Sequence, residues 1–333
     1  MDSYYLVADI GGTKSELAVY AKKDDIRSCF LKERFVTGEY ESLEILIAHF
    51  LQEHALKIEA AVLAIAGPVI HNRVTLYSSN LPWEVDEASL REKLQIPEIE
   101  LINDLRAVAG AIPHLRKEDL HTINKGVERV HETMAVIAPG TGLGEAFLIW
   151  DGTRYKPCIS EGAHVNFGPR TDLEIGLLKH MKKHQAHVTY ESVCSGLGIP
   201  SIYEYILTNS LTDEDSAISN ELGAAEDLTR AIIDMAVQED ESGGIAKEVL
   251  QLFASVLGAE AGNLVLKTMA TGGLFLAGGI PPRIIPYLNS QAFLGSFFDK
   301  GVMEEMMPDV PIHIITNSDT AIMGAADYLF NKK

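Results

Sequence analysis

The stretch Ile99-Glu100-Leu101-Ile102-Asn103-Asp104 decides how this chain is read. Ile99 to Ile102 predicts a short strand, and the Ala-rich Leu105–Ile112 that follows predicts a helix with Asp104 near its start. In an open α/β sheet, polar groups just past the C-terminal end of a strand face the ligand crevice. A carboxylate there can accept a proton from a bound hydroxyl, and the adjacent Asn103 amide can hold that substrate's oxygens. Taken alone, Asp104 reads more readily as a helix cap.

With 333 residues and 47% hydrophobic content, the chain can bury a large core and is expected to divide into two lobes. Its net charge of −19 disfavours nucleic acid and anionic membrane as partners. An anionic ligand such as a nucleotide then needs backbone donors, a metal, or both. Cys29, Cys158 and Cys194 form no CxxC pair and no disulfide framework, which points to a reducing, cytoplasmic compartment. No basic leader precedes the first strand, and no apolar run approaches membrane length, so no membrane partner is expected.

Two strand–glycine turn–strand units stand out. Tyr4–Ile10 and Glu16–Tyr20 flank Gly11-Gly12-Thr13-Lys14, while Ala135–Ala138 and Glu145–Trp150 flank Pro139-Gly140-Thr141-Gly142-Leu143-Gly144. Neither is a Walker loop. The second is no dinucleotide fingerprint either, because its spacing is G-x-G-x-G and a strand follows it. A glycine hairpin tip still presents successive backbone N–H groups as an anion nest. Asp9, beside the first tip, can hold Mg²⁺ through water, which suits an ion that keeps much of its hydration shell. By itself it also reads as a turn cap.

Elsewhere, Leu43, Leu46, Ile47, Phe50 and Leu51 recur at helical spacing behind a Ser42 cap. Ala60–Ala66 reads as a strand, Asn80-Leu81-Pro82-Trp83 as a turn, and Asp86–Leu94 as a short helix. After Pro113 the chain is polar through Arg129. Thr171-Asp172-Leu173-Glu174 matches a capping box that opens a helix to about Met181. Ser192–Gly198 is turn-like, and Thr212–Ser219 is an acidic loop. Glu226–Val237 and Ile245–Met269 read as helices, the second with Gly258, Ala259, Ala261 and Gly262 inviting close approach of another backbone. Strands at Gly273–Ile280 and Ile312–Thr316 precede a final helix, Asp319–Phe330.

His180, His184 and His187 fall at i, i+4 and i+7, a candidate metal face. Two lysines interrupt it and no H-E-x-x-H glutamate is present, so the pattern predicts a solvated basic helix end. Cys158, Glu161 and His164 have metal-like spacing but no fourth ligand. Met303, Met306 and Met307 read as core or interface filler.

Asp9-Ile10-Gly11-Gly12-Thr13, Asn103-Asp104, Gly140-Thr141-Gly142-Leu143-Gly144, Glu161-Gly162-Ala163-His164 and Ala277-Gly278-Gly279, in that order, resemble the bacterial glucokinases. These belong to the hexokinase–actin–heat-shock ATPase superfamily, and the resemblance runs from about Tyr4 to Leu329. It implies an α/β, two-lobed actin-like (ribonuclease H-like) fold with a nucleotide–sugar cleft between a small lobe of residues 1–112 and 317–333 and a large lobe of 113–316. It further implies ATP- and Mg²⁺-dependent phosphorylation of glucose at the 6-hydroxyl, with Asp104 as general base. By the same resemblance Asn103, Glu161, His164 and Glu191 bind the sugar hydroxyls. Gly11, Gly12, Thr13, Gly140, Thr141 and Gly142 form the phosphate turns, Gly278 and Gly279 the adenosine turn, and the assembly is a homodimer.

Lys14 and Glu16 stand where other residues are common in such kinases, and Lys14 carries no assigned role. The cysteine cluster that gives the neighbouring ROK kinases their zinc is absent, so no structural zinc is expected. Two rivals remain on the same scaffold: a kinase for another hexose (mannose, N-acetylmannosamine or fructose), and a non-catalytic sugar-sensing regulator. The second sits poorly with a first strand at about Tyr4, since such regulators usually carry an extra N-terminal helix-turn-helix, and with retention of Asp104. An actin-like filament or chaperone ATPase would not need the Glu161/His164 pair.

Overall fold

Leu6, Val7, Ala8 and Ile10 of β1 (Tyr4–Ile10) are all fully buried, so this strand is covered on both faces, as a sheet between helical layers requires. The computed structural model describes residues 3–21, 25–75, 81–209, 222–238 and 244–331. They fall into two compact units, Met1–Arg116 with Tyr155–Ile159 and Asn317–Lys333, and Lys117–Arg154 with Ser160–Thr316.

The first unit runs β1, β2 (Lys14–Tyr20), β3 (Leu31–Val36), α1 (Leu43–Glu53), β4 (Ile58–Ile65), the short β5 (Arg73–Val74) and β6 (Val85–Asp86), α2 (Glu87–Leu94), β7 (Glu98–Asn103) and α3 (Asp104–Ala111). Its sheet order is β3-β2-β1-β4-β7. The first three strands are antiparallel neighbours, and β1, β4 and β7 run parallel. Leu43, Leu46, Ile47 and Phe50 of α1 and Leu90 of α2 pack on Leu6, Ala8 and Ile10. Ala107 of α3 packs on the other face, beside Tyr5 and Val7. Ser42 caps α1 and Asp86 caps α2, each accepting a backbone N–H from three residues on. Residues 113–116 and Tyr155–Ile159, which the sequence assigns to the large lobe, group here instead. Pro157 lies 3.7 Å from where a side chain on Gly110 of α3 would begin, so the segment is seated on this unit's helix.

The second unit contains β8 (Leu120–Asn124), β9 (Met134–Pro139) and β10 (Leu143–Trp150), with β11 (Tyr155–Ser160) following. Then come α4 (Asp172–Met181), α5 (Tyr190–Val193), α6 (Ile199–Asn209), α7 (Leu228–Ala236), α8 (Gly244–Thr268), β12 (Gly273–Leu276), α9 (Ile285–Leu288), α10 (Gln291–Phe298) and β13 (Ile312–Ile315). Five of its strands lie in the order β10-β9-β12-β13-β8, again mixed. The 25-residue α8 is long and apolar enough to cross a membrane, contrary to the expectation that no such stretch exists. Most of that stretch is buried inside this unit, which is the environment of a core helix. A Cβ on Gly258 would overlap the Phe293 carbonyl, and one on Gly262 would come within 2.8 Å of the Phe297 carbonyl. The small residues of α8 therefore admit the backbone of α10, as their spacing predicts.

At α4, Thr171 caps as expected, accepting the Glu174 N–H at 3.2 Å. The reciprocal half of the box is missing. The Glu174 carboxylate accepts instead from the Arg170 N–H and guanidinium, because a buried carboxylate is better satisfied by a charged donor. The reciprocal capping box lies at Thr189 and Ser192, reaching only at Ser192 the Ser192–Gly198 stretch read as turn. The chain closes with α11 (Thr320–Phe330), which returns to the first unit and buries Ile322, Ala325 and Ala326 against Tyr5 and Val7. Asn80 and Thr212–Ser219 lie outside the described residues.

Candidate active site

At the end of β7, Asn103 is the cap of α3: its Oδ1 accepts the Arg106 N–H at 3.1 Å, while its Nδ2 donates to the Gly67 carbonyl at 3.1 Å. Capping thus falls to Asn103, not Asp104. Asp104 opens the helix and accepts the Leu105 N–H at 2.8 Å. Asn103, already engaged twice, keeps one N–H and one lone pair for a ligand.

The first glycine turn is braced from beneath. Gly11 donates to the Lys14 carbonyl at 3.0 Å, closing the hairpin. The fully buried Thr37 donates its hydroxyl to the Gly11 carbonyl at 2.8 Å and its N–H to the Thr13 carbonyl at 3.1 Å. Ser15 bonds the same Thr37 hydroxyl at 2.8 Å. Nothing in the sequence distinguishes Thr37, because its partners are two loops brought together only by the β2–β3 pairing.

Asp9 lies opposite Glu16 across the β1–β2 ladder. Desolvation pushes the Asp9 carboxyl up to about 7, the negative charges of Asp104 and Glu16 push the same way, and Arg34 opposes them. Arg34 itself bonds Glu16 at 2.9 Å. Asp9 has no hydrogen-bond or ion-pair partner among the described residues. The Asp9 carboxylate, unpartnered at the end of β1, supplies hard oxygens of the kind that suit Mg²⁺ held through water. Because this pKa is raised on folding, Asp9 destabilises the fold progressively as pH climbs from about 4 to about 7. Asp9→Asn should therefore melt higher than the parent at pH 8, with the difference vanishing near pH 4. A constant difference across that range would contradict this account.

In the second unit, Gly140 donates to the Gly142 carbonyl at 2.9 Å, forming the tip between β9 and β10. Gly196 donates to the Gly140 carbonyl at 2.8 Å, and the Thr229 hydroxyl holds the Gly196 carbonyl at 2.6 Å; neither residue was singled out by the sequence. Gly278 has φ of +87°, and a Cβ there would lie 2.5 Å from the Pro139 carbonyl. Only glycine fits both demands. Its neighbours tie it to the same strand, Ala277 donating to the Ile137 carbonyl at 2.9 Å. Gly140–Gly142 and Gly278–Gly279 therefore share one patch of backbone.

Beside it, Gly162–His164 forms a single 3₁₀ turn, the local geometry that Glu161 and His164 need in order to meet. His164 Nε2 lies 3.6 Å from Glu161 Oε2, and Nδ1 lies 3.7 Å from Glu191 Oε1. Glu191 sits in α5, whose start is fixed by the Thr189–Ser192 box. Its other oxygen accepts the Leu143 N–H at 3.0 Å. One carboxylate thus faces the imidazole and also anchors the glycine turn. Two carboxylates around one imidazole suit vicinal hydroxyls, which need paired acceptors and a switchable donor.

A family model described as glucokinase matches residues 6–332. A glucokinase of Nostoc sp. is 38% identical, the match covering 96% of this chain and 97% of that one. A crystal structure of a glucokinase from an Antarctic psychrotroph is 31% identical, covers 99% of each chain and superposes with a TM-score of 0.78. A ROK family glucokinase from Streptomyces griseus, solved with glucose and AMPPNP, is 19% identical and shares the fold with a TM-score of 0.71. End-to-end likeness at that level of identity leaves no room for a merely local resemblance, and the chain belongs to the glucokinase family, kinases that phosphorylate glucose with ATP.

Proposed function

We propose that in this ATP-dependent phosphorylation of glucose Asp104 is the general base, taking the proton of the 6-hydroxyl as that oxygen attacks the γ-phosphate. The observation that carries this reading is the position of Asp104 in the first turn of α3, its Oδ1 fixed by the Leu105 N–H at 2.8 Å. Hydroxyl phosphorylation depends mainly on positioning and on charge stabilisation, with a carboxylate orienting the nucleophile. Glu161, His164 and Glu191 bind the sugar hydroxyls, and the spare donor and acceptor of Asn103 add to them. The two glycine turns receive phosphate oxygens through the N–H groups of Gly12, Thr13, Thr141 and Gly142, while Gly11 and Gly140, whose own N–H groups close the tips, let the phosphate approach, and Gly278 with Gly279 lies under the adenosine. Asp9 holds Mg²⁺ through water; the ion, when bound, offsets the negative charge on the phosphates.

We assign the chain to the cytoplasm on its three free cysteines. A homodimer is the assembly that the family resemblance implies. The reaction is tested by a panel of glucose, mannose, fructose and N-acetylmannosamine with ATP and Mg²⁺ in one ADP-coupled assay. Glucose is expected to give the highest kcat/KM, and chelation of Mg²⁺ to abolish turnover. A preference for any other hexose, or full turnover without the metal, would overturn the corresponding part of this reading.

A further inference from the structure

We propose that His180, His184 and Glu204 form a binding site for a divalent transition cation, Zn²⁺ foremost, pinning the end of α4 to α6. The sequence pattern predicts a solvated helix end here, yet His180 is only 8% exposed. Its ring lies against Tyr205 of α6, centroids 5.7 Å apart. His180 Nε2 is buried and has no hydrogen-bond partner among the described residues. Glu204 Oε2 lies 3.8 Å away, beyond hydrogen-bond reach. A buried polar atom left without a partner costs free energy and calls for an explanation.

His184 supplies it. The turn after α4, in which His184 donates to the Met181 carbonyl at 3.0 Å, brings its ring to 5.8 Å from that of His180. One ligand atom from each of His180, His184 and Glu204 then falls within 4.8 Å of the others. Tetrahedral Zn²⁺, with bonds of about 2.1 Å, holds its ligands about 3.4 Å apart. Closing on the ion therefore needs only rotation of the two exposed side chains toward the fixed, buried imidazole.

Two imidazoles and one carboxylate suit Zn²⁺, Co²⁺ or Ni²⁺, whereas Mg²⁺ and Ca²⁺ prefer oxygen throughout. With three protein ligands, water completes the shell. His187 takes no part; the third ligand comes from α6, which no helical spacing announces. The comparable group of Glu33, Glu53 and His54 lacks the decisive feature, because His54 Nε2 already bonds Glu33 at 2.8 Å.

The test is Zn²⁺ binding to the chelator-stripped full chain, by calorimetry and by the melting temperature. The parent should bind one Zn²⁺ at this site and melt higher with it, since a ligand for the native state alone raises stability. His184→Gln and Glu204→Gln, both at exposed positions, should each weaken binding at least about tenfold, while His187→Gln leaves it unchanged. Co²⁺ bound to the parent should show the visible bands of a four-coordinate ion, and His184→Gln should lose them. Equal Zn²⁺ affinity in the parent, His184→Gln and Glu204→Gln, or no stoichiometric binding at all, would overturn the assignment. It would leave His180 and Glu204 as neighbours only.

Discussion

Asp104→Asn is expected to lower kcat for glucose about a thousandfold, roughly 4 kcal/mol of transition-state stabilisation, with little change in glucose affinity. The amide is isosteric with the carboxylate and keeps an oxygen for the Leu105 N–H, so the start of α3 should persist. What it loses is basicity, because an amide cannot accept the proton released as the hydroxyl is phosphorylated. Uniform binding of the substrate survives and the loss appears in kcat, the signature of an interaction made in the transition state. Glucose binding by calorimetry, together with a coupled turnover assay, separates these quantities. Turnover within fivefold of the parent would remove Asp104 from the role of base.

The second large effect is structural. A Cβ on Gly324 of α11 would overlap the carbonyl oxygen of Ala107 and press on the Ala111 nitrogen of α3. The obstacle is backbone on both counts, so no rotamer change relieves it, and the helices must separate. Forced overpacking of this kind costs about 3 kcal/mol. Gly324→Val is expected to lower the melting midpoint by several degrees and to expose the face that carries Ala107, Ile322 and Ala325. A midpoint within a degree of the parent would show that α3 and α11 are not in backbone contact in solution.

Where the sequence was legible, the physics was local. Strands with a glycine tip, the Ser42 cap and the small-residue run in α8 each state their geometry within a few residues. β3 was not legible, because Leu31–Val36 carries three charges in a row, Lys32-Glu33-Arg34, which breaks the apolar alternation, and it is half-buried on one side only. α6 followed a stretch read as turn and carries no cap at its start that signals a helix. In the candidate site, the glycine turns and the Glu161–His164 pair could be named from motifs. The bracing by Thr37, the cap at Asn103 and the bond from Leu143 to Glu191 arise from chain segments far apart in sequence, and no spacing encodes them. Asp9 was recognisable as a carboxylate beside a turn, but its raised pKa depends on neighbours that only folding supplies.

The place of α11 has a consequence for biogenesis. The sheet that carries Asp9 is sealed on one face by a helix that emerges from the ribosome only after the entire second unit has been made. Vectorial synthesis, which lets most domains close in order from the amino terminus, is defeated here. The earlier half must wait, its apolar surface uncovered, until the later half has been translated, and in that interval chaperones have the most to protect.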